Sequence, residues 1–297
     1  MKRYDLSILG SYSSFNFGDY IMLISFLEIL DSLNCPLKVL VYSSTKHYLL
    51  KLLEKEFSSS KISVEIEDSL IRFIFKSLFF SKVQIIGGGT LLIKKRAVYR
   101  HALFIAVLRL LGKRVFLLSV DGDLSTSFWA RMMVRLSNYS VMRVHHVYEQ
   151  ARKIADNVYL LPDVSVVYFT KRFKRKDSKG KGCCVVIPIY IRDMKNADVK
   201  KGCVEAYQDL QGINRKLPYR FPKEYFQYIM KFKKVYTYHY HTLMFCRLMG
   251  IDAVSLQPHT KKHQSVAMFS LKEYRNAVKV WKNIISSVVK TCCSKPY

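Results

Sequence analysis

Apolar residues along this chain fall into two alternating patterns. Short apolar runs bounded by polar or turn-forming residues predict strands, and the stretches between them place apolar residues at helical spacing. The first half reads as strands at Tyr4 to Leu9, Leu37 to Tyr42, Ile62 to Ile66, Val83 to Ile86, Val115 to Val120, Tyr139 to Val144 and Val158 to Leu161. Between them lie helices at Asp19 to Leu33, His47 to Phe57, Leu70 to Phe80, Tyr99 to Leu111, Ser127 to Leu136 and Tyr148 to Ala155. Such alternation specifies an α/β fold, a parallel sheet with helices on both faces, and ligands then bind beyond the carboxyl ends of the strands.

The pattern breaks at Lys171 to Gly182, a polar, basic and glycine-containing segment that reads as a solvated linker rather than a nucleic-acid arm. Beyond it, strands at Cys183 to Ile191, Lys234 to Tyr240 and Ala253 to Leu256 alternate with helices at Pro222 to Phe232 and His241 to Met249. A long closing helix spans Leu271 to Lys290. The expected organisation is a first domain at 1–170, the linker at 171–182 and a second α/β domain at 183–297. The stretch Lys195 to Leu217 has weak periodicity and is expected to form a mobile loop over the cleft.

Composition adds a charge anomaly to this picture. Lys and Arg number 49 against 22 Asp and Glu, a formal net charge of +27, which favours anionic partners, among them nucleic acid, acidic lipid headgroups, sugar phosphates and small carboxylated phosphates, without choosing among them. The amino terminus lacks the long apolar core and small-residue cleavage site of a signal peptide, so a cytoplasmic protein is expected. Seven cysteines without a C-x-x-C spacing argue against a zinc ribbon, and their odd number predicts reduced thiols. The apolar stretches Ile71 to Phe80 and Ala102 to Val120 are too short or too interrupted by charge to span a bilayer. Peripheral contact with the inner face of an anionic membrane is compatible with the basic and aromatic content.

Candidate chemistry gathers at strand ends. Val83 to Ile86 delivers Gly87, Gly88 and Gly89 to the predicted start of a helix, where exposed N–H groups could hold a phosphate or carboxylate; a tight turn without a ligand is the alternative, and three consecutive glycines favour a site. The first strand opens into Gly10 to Asp19, where Asn16 and Asp19 either cap a helix or meet a ligand. No dinucleotide or ATP-loop glycine spacing is present. A strand ends at Leu161-Pro162-Asp163, and Tyr236 to Thr242 places His239 and His241 at a strand-to-helix junction. An imidazole there could hold an anion or move a proton. With His259 and His263 nearby a zinc site is conceivable, but acidic or cysteine partners at ligand spacing are lacking.

In order, these blocks resemble the polysaccharide pyruvyltransferase family: Asn16-Phe17-Gly18-Asp19, then Ile85-Ile86-Gly87-Gly88-Gly89-Thr90-Leu91-Leu92, then Leu161-Pro162-Asp163-Val164-Ser165, a second-domain strand near Arg192, the junction ending in His241, and Gly250 to Val254. The resemblance covers nearly the whole chain. It implies two Rossmann-like domains facing across a cleft, the GT-B architecture, and transfer of a pyruvyl group from phosphoenolpyruvate to a sugar of a cell-surface glycan or its lipid-linked precursor. On that basis His241 is expected as acid or base and Asp19 as the residue positioning the acceptor. Asn16, Gly18, Gly87, Gly88, Gly89, Asp163, Arg192 and His239 are expected to bind substrate, and no metal or cofactor is expected. His239 stands where the family usually carries arginine, so the planar two-point grip on a carboxylate or phosphate is absent there. A GT-B glycosyltransferase using a nucleotide sugar and a non-catalytic polyanion-binding member are the alternatives.

Overall fold

A computed structural model describes residues 3–12, 16–59, 61–92, 95–174, 181–187, 203–207 and 220–293. Among these residues the first half forms a seven-stranded sheet in the order β3-β2-β1-β4-β5-β6-β7. Its strands are β1 (Tyr4–Leu9), β2 (Leu37–Tyr42), β3 (Ile62–Glu67), β4 (Ser81–Leu92), β5 (Arg114–Gly122), β6 (Tyr139–Met142) and β7 (Val158–Leu160). Every pairing is parallel, so both faces need cover. Helices α1 (Phe17–Asp31), α2 (Lys46–Glu56) and α7 (Val166–Arg172) share one core, and α4 (Lys95–Leu110), α5 (Phe128–Leu136) and α6 (His145–Arg152) share a second with Phe73 of α3 (Leu70–Phe80). Helix α1 is apolar almost all round, as expected of a helix buried on every side.

The second half forms a smaller parallel sheet in the order β11-β10-β8-β9, made by β8 (Cys183–Ile187), β9 (Val204–Tyr207), β10 (Lys234–Thr237) and β11 (Asp252–Ser255). Helices α8 (Pro222–Ile229), α9 (Tyr240–Met249) and α10 (Lys261–Met268) accompany it. The closing helix α11 (Leu271–Cys293) returns to pack against α1 and α7 of the first half, and its Trp281 donates an indole hydrogen bond to the Pro162 carbonyl at 2.9 Å. Two α/β units with parallel sheets thus face one another, the GT-B arrangement.

Several details differ from the sequence reading. The glycines do not turn from strand to helix: β4 continues through them to Leu92, with Gly88 and Gly89 at φ of 75° and 129° and a register irregularity against β5. Helix α7 ends in Lys171 and Arg172, and Arg172 is ion-paired to the buried Glu28 at 2.5 Å, so the start of the supposed linker is anchored. Within 195–217, residues 204–207 form β9; the rest, Cys203 apart, lies outside the described residues. Cys183 and Cys203 are joined in a disulfide between the adjacent strands β8 and β9, which corrects the expectation of reduced thiols throughout. No described helix is long and apolar enough to cross a membrane.

Candidate active-site cleft

In the first sheet the chain order reverses between β1 and β4, the switch point where such sheets bind ligands. Beyond it lies a cavity of about 630 Å³ between the two halves. Four helix amino ends face it: Asn16 and Asp19 at α1, Val144 and His146 at α6, His239 to His241 at α9, and Thr260 to His263 at α10. Unpaired N–H groups make helix amino ends favourable to anions. Lys261 and Lys262 add charge to the same wall.

Beneath the cavity lies a buried ion network. Asp121 ends β5, Arg143 follows β6 and Asp163 follows β7, so three neighbouring strands each contribute one charged group. Arg143, 1% exposed, donates to Asp121 through Nε at 2.9 Å and Nη2 at 2.6 Å, and to Asp163 through Nη1 at 2.5 Å. Asp163 also accepts from Ser165 N and Oγ and from Ser119 Oγ. Burial is the largest single influence and raises both carboxyls, but the Arg143 charge, joined by Lys262 and Thr90 at Asp121 and by His241 and Ser165 at Asp163, together outweighs it and holds both well below the usual carboxylate range. With its lone pairs and donors matched, the network meets the condition under which buried charges are tolerated. Lys262 reaches Asp121 at 3.3 Å and donates to Thr90 Oγ1 at 3.0 Å.

His241 sits on this base. Its Nε2 lies 3.7 Å from Asp163 Oδ2 and 3.5 Å from Arg143 Nη1. Its other nitrogen faces α1: a Cβ added to Gly18 would fall 2.0 Å from Nδ1. Gly18 is therefore glycine because the imidazole of the second half occupies the place of its side chain. His239 lines the same cavity, and burial, reinforced by His241 and neighbouring charges, lowers it to about 3, so it is neutral at pH 7.

Of the residues expected to form the site, Asn16, Asp19, His239 and His241 line the cavity, whereas Gly18 and the fully buried Asp163 lie against the His241 imidazole instead of facing the cavity as substrate-binding residues. Asn16 caps α1 as well, its Oδ1 accepting from Gly18 N at 2.7 Å. The three glycines do not line the cavity. An added Cβ would strike the Leu118 carbonyl from Gly87, Tyr12 from Gly88 and Ser11 from Gly89. Tyr12 Oη donates to the Gly87 carbonyl at 2.8 Å. These glycines let the loop after β1 lie on β4; Thr90, the next residue, reaches the cleft. Arg192 lies outside the described residues. Among the described residues no group of three or more His, Cys, Asp or Glu side chains could hold a metal ion.

Sequence reasoning missed Arg143, Asp121, Lys262 and Thr90 as parts of the cleft. A usable signal existed for Arg143, a basic residue closing the apolar run Tyr139 to Val144, with an aspartate at the end of each neighbouring strand.

No protein-family model and no curated relative matches this sequence. Solved structures are similar over nearly the full length. A UDP-GlcNAc 2-epimerase from Neisseria meningitidis bound to UDP-GlcNAc aligns with a TM-score of 0.55 and 13% identity over 99% of this chain and 95% of that one. The S. aureus protein MnaA, solved with UDP, aligns at 0.56 and 10% identity over 98% and 91%. The UDP-GlcNAc 2-epimerase of Methanocaldococcus jannaschii aligns at 0.54 and 9% identity over 95% and 93%. At these identities the likeness establishes the two-domain fold.

Proposed function

We propose that this protein is a sugar-modifying GT-B enzyme that binds a phosphate-bearing anionic donor between its domains and transfers part of it to sugar hydroxyls. The observation that carries this reading is the convergence of four helix amino ends, Lys261 and Lys262 on the cavity that also holds His241. The structural likeness to enzymes described with UDP-GlcNAc or UDP supports a sugar-related anionic ligand in this fold.

For the donor we infer phosphoenolpyruvate. The segments that carry the resemblance to polysaccharide pyruvyltransferases, Asn16 to Asp19, Asp163 and His239 to His241, are far apart in the chain and meet at one cleft. In this reaction His241 protonates the methylene carbon of the donor, making it a methyl group. A sugar hydroxyl adds to the neighbouring carbon, the C–O bond to phosphate breaks, and a second hydroxyl completes the ketal. Of the two hydroxyl protons, one restores His241 and the other leaves with phosphate. Asp19 orients the acceptor, and the Asp163–Arg143–Asp121 network fixes the imidazole, whose position matters because proton transfer requires hydrogen-bond reach. The donor phosphate meets the amino ends of α9 and α10 and Lys262.

Transfer from a nucleotide sugar is the second reading, favoured by the UDP-bound structures of similar fold. Thermal unfolding with phosphoenolpyruvate or UDP-GlcNAc, followed by assay of phosphate or UDP release with sugar acceptors, separates the two. A ligand at about a hundred times its dissociation constant raises stability by roughly 2.7 kcal/mol. Stabilisation by phosphoenolpyruvate that His241→Ala weakens supports pyruvyl transfer; a response to UDP-GlcNAc alone moves the reaction to the nucleotide sugar. Silence toward both, with salt-sensitive polyanion binding, defeats the enzymatic reading.

A further inference from the structure

The helices α3, α4 and α5 cover one face of the first sheet, and they carry apolar side chains outward as well as inward. On α3, Ile71, Phe75 and Phe79 stand at successive four-residue steps and are exposed, Ile71 to 82%. On α4, Tyr99, Leu103 and Val107 repeat the same step, and Leu110 is 87% exposed with Leu111 beside it. Helix α5 adds Phe128 and Trp129, and the Tyr99 and Trp129 rings meet edge to face at 4.8 Å. Patches of this kind on a soluble fold mark an interaction surface.

Two further features say what that surface meets. The three helices contain no acidic residue, while Arg72, Lys76, Arg100, Arg109, Arg131 and Arg135 lie along them. Arg72 and Lys76 are paired with carboxylates from the end of β3 and the turn after it, leaving the α4 and α5 arginines as the main charge of this face. Between α3 and α4 lies a groove of about 430 Å³ walled by Ile74, Leu78, Phe104 and Val107, with Arg100 as its cationic group and the neutral His101 imidazole beside it. The buried Nδ1 of His101 has no hydrogen-bond partner among the described residues. Long apolar walls with a basic end suit a hydrocarbon chain carrying an anionic headgroup.

We propose that the α3–α4–α5 face docks on an anionic phospholipid bilayer. The exposed rings and aliphatic side chains enter the interface, the arginines meet headgroup phosphates, and the groove takes one acyl chain. The groove is floored by Leu9 and Gly10, and the loop that follows them carries Ser11 and Asn16 into the cleft. Docking in this way holds the cleft near the membrane surface. This inference does not depend on which donor the cleft binds.

The test is sedimentation with vesicles of phosphatidylcholine alone or with roughly a third phosphatidylglycerol, since the anionic fraction sets the surface potential. Of the two tryptophans, Trp281 is fully buried on α11 and Trp129 lies in the face, so an emission shift on binding reports this surface. The wild type is expected to bind the anionic vesicles with a blue shift that Trp129→Phe abolishes. The triple variant Ile71→Ser, Phe79→Ser, Leu110→Ser is expected to keep its unfolding midpoint and bind at least about tenfold more weakly. Should that variant misfold, quenching of wild-type Trp129 by brominated lipid gives the same answer. Absence of binding, equal binding to neutral vesicles, or wild-type affinity in the variant with no emission shift each overturns the proposal.

Discussion

Arg143 shows how a single buried charge can organise a cleft. Its two aspartates hold it rigid, and it in turn lies against the His241 imidazole. Asp163→Asn leaves Arg143 half-paired and is expected to cost about 3–5 kcal/mol, read as a fall in the urea midpoint. Gly18→Ala acts on the other side of the ring. The new methyl would take the space of Nδ1, so turnover in the proposed reaction should fall at least about a hundredfold from misplacement alone, with the unfolding transition retained. Buried histidines give a third prediction. Burial lowers His101 and His263 to about 4, so on acidification below their ordinary value of 6.5 the unfolded chain takes up protons that the folded chain does not. Stability therefore falls as pH drops from 6.5 toward 4, by up to roughly 1.4 kcal/mol per pH unit for each such group. His101→Leu should flatten the slope of the denaturant midpoint between pH 7 and 5. At this scale the sequence was partly legible. His241 and Asp163 announced themselves by standing at strand ends, whereas Arg143 was hidden because an apolar run absorbs one basic residue without losing its strand pattern.

Elements were more legible than side chains, because burial on both faces of a parallel sheet imposes long apolar runs that a sequence displays openly. Helix α3 is found over the predicted span, and α1, α2 and α5 lie within a residue or two of theirs at most ends. The misses have two causes. Helices α7 and α10, 7 and 8 residues long, lie in stretches the sequence reads as loop or linker, and β4 runs through three glycines that propensity reads as a break. In β4 the close approach of Tyr12 and Ser11 overrides that propensity. Helix α11 was foreseen but its destination was not, since periodicity shows that a face is buried and not against what. Its Trp281 is fully buried, edge to face with Phe26 of α1 at 6.1 Å and bonded to Pro162. Trp281→Ala is expected to cost about 3–5 kcal/mol. That loss should appear as weakened protection of α1 amides in hydrogen exchange, far away in sequence.

For the whole molecule, the same packing decides how the two halves unfold. One apolar core runs from Leu6 and Phe26 in the first half through Phe169 to Phe226, Phe245 and Trp281 in the second. Phe169 touches Phe226 and Phe245 at ring separations of 4.8 and 5.1 Å, and Phe17 meets Tyr225 at 5.5 Å. Polar ties cross the same boundary: Lys55 pairs with Glu224, Lys223 N donates to Glu56 and Lys262 reaches Asp121. Neither half can lose its structure without exposing this shared core, so the protein is expected to unfold in one transition, with calorimetric and van't Hoff enthalpies in agreement. Two resolved transitions would mean that the halves hold their cores separately. Opposing this cohesion is the excess of 27 positive charges, whose mutual repulsion favours the expanded chain. Because the strongest ion pairs lie buried in the Arg143 network, salt screens the surface repulsion far more than those attractions. The midpoint of the single transition should therefore rise with sodium chloride up to about 0.3 M, a range in which the Debye length falls to a few ångströms. A midpoint that falls over that range would mean that surface ion pairs such as Lys76 with Glu65 and Glu67 contribute more than the net charge removes.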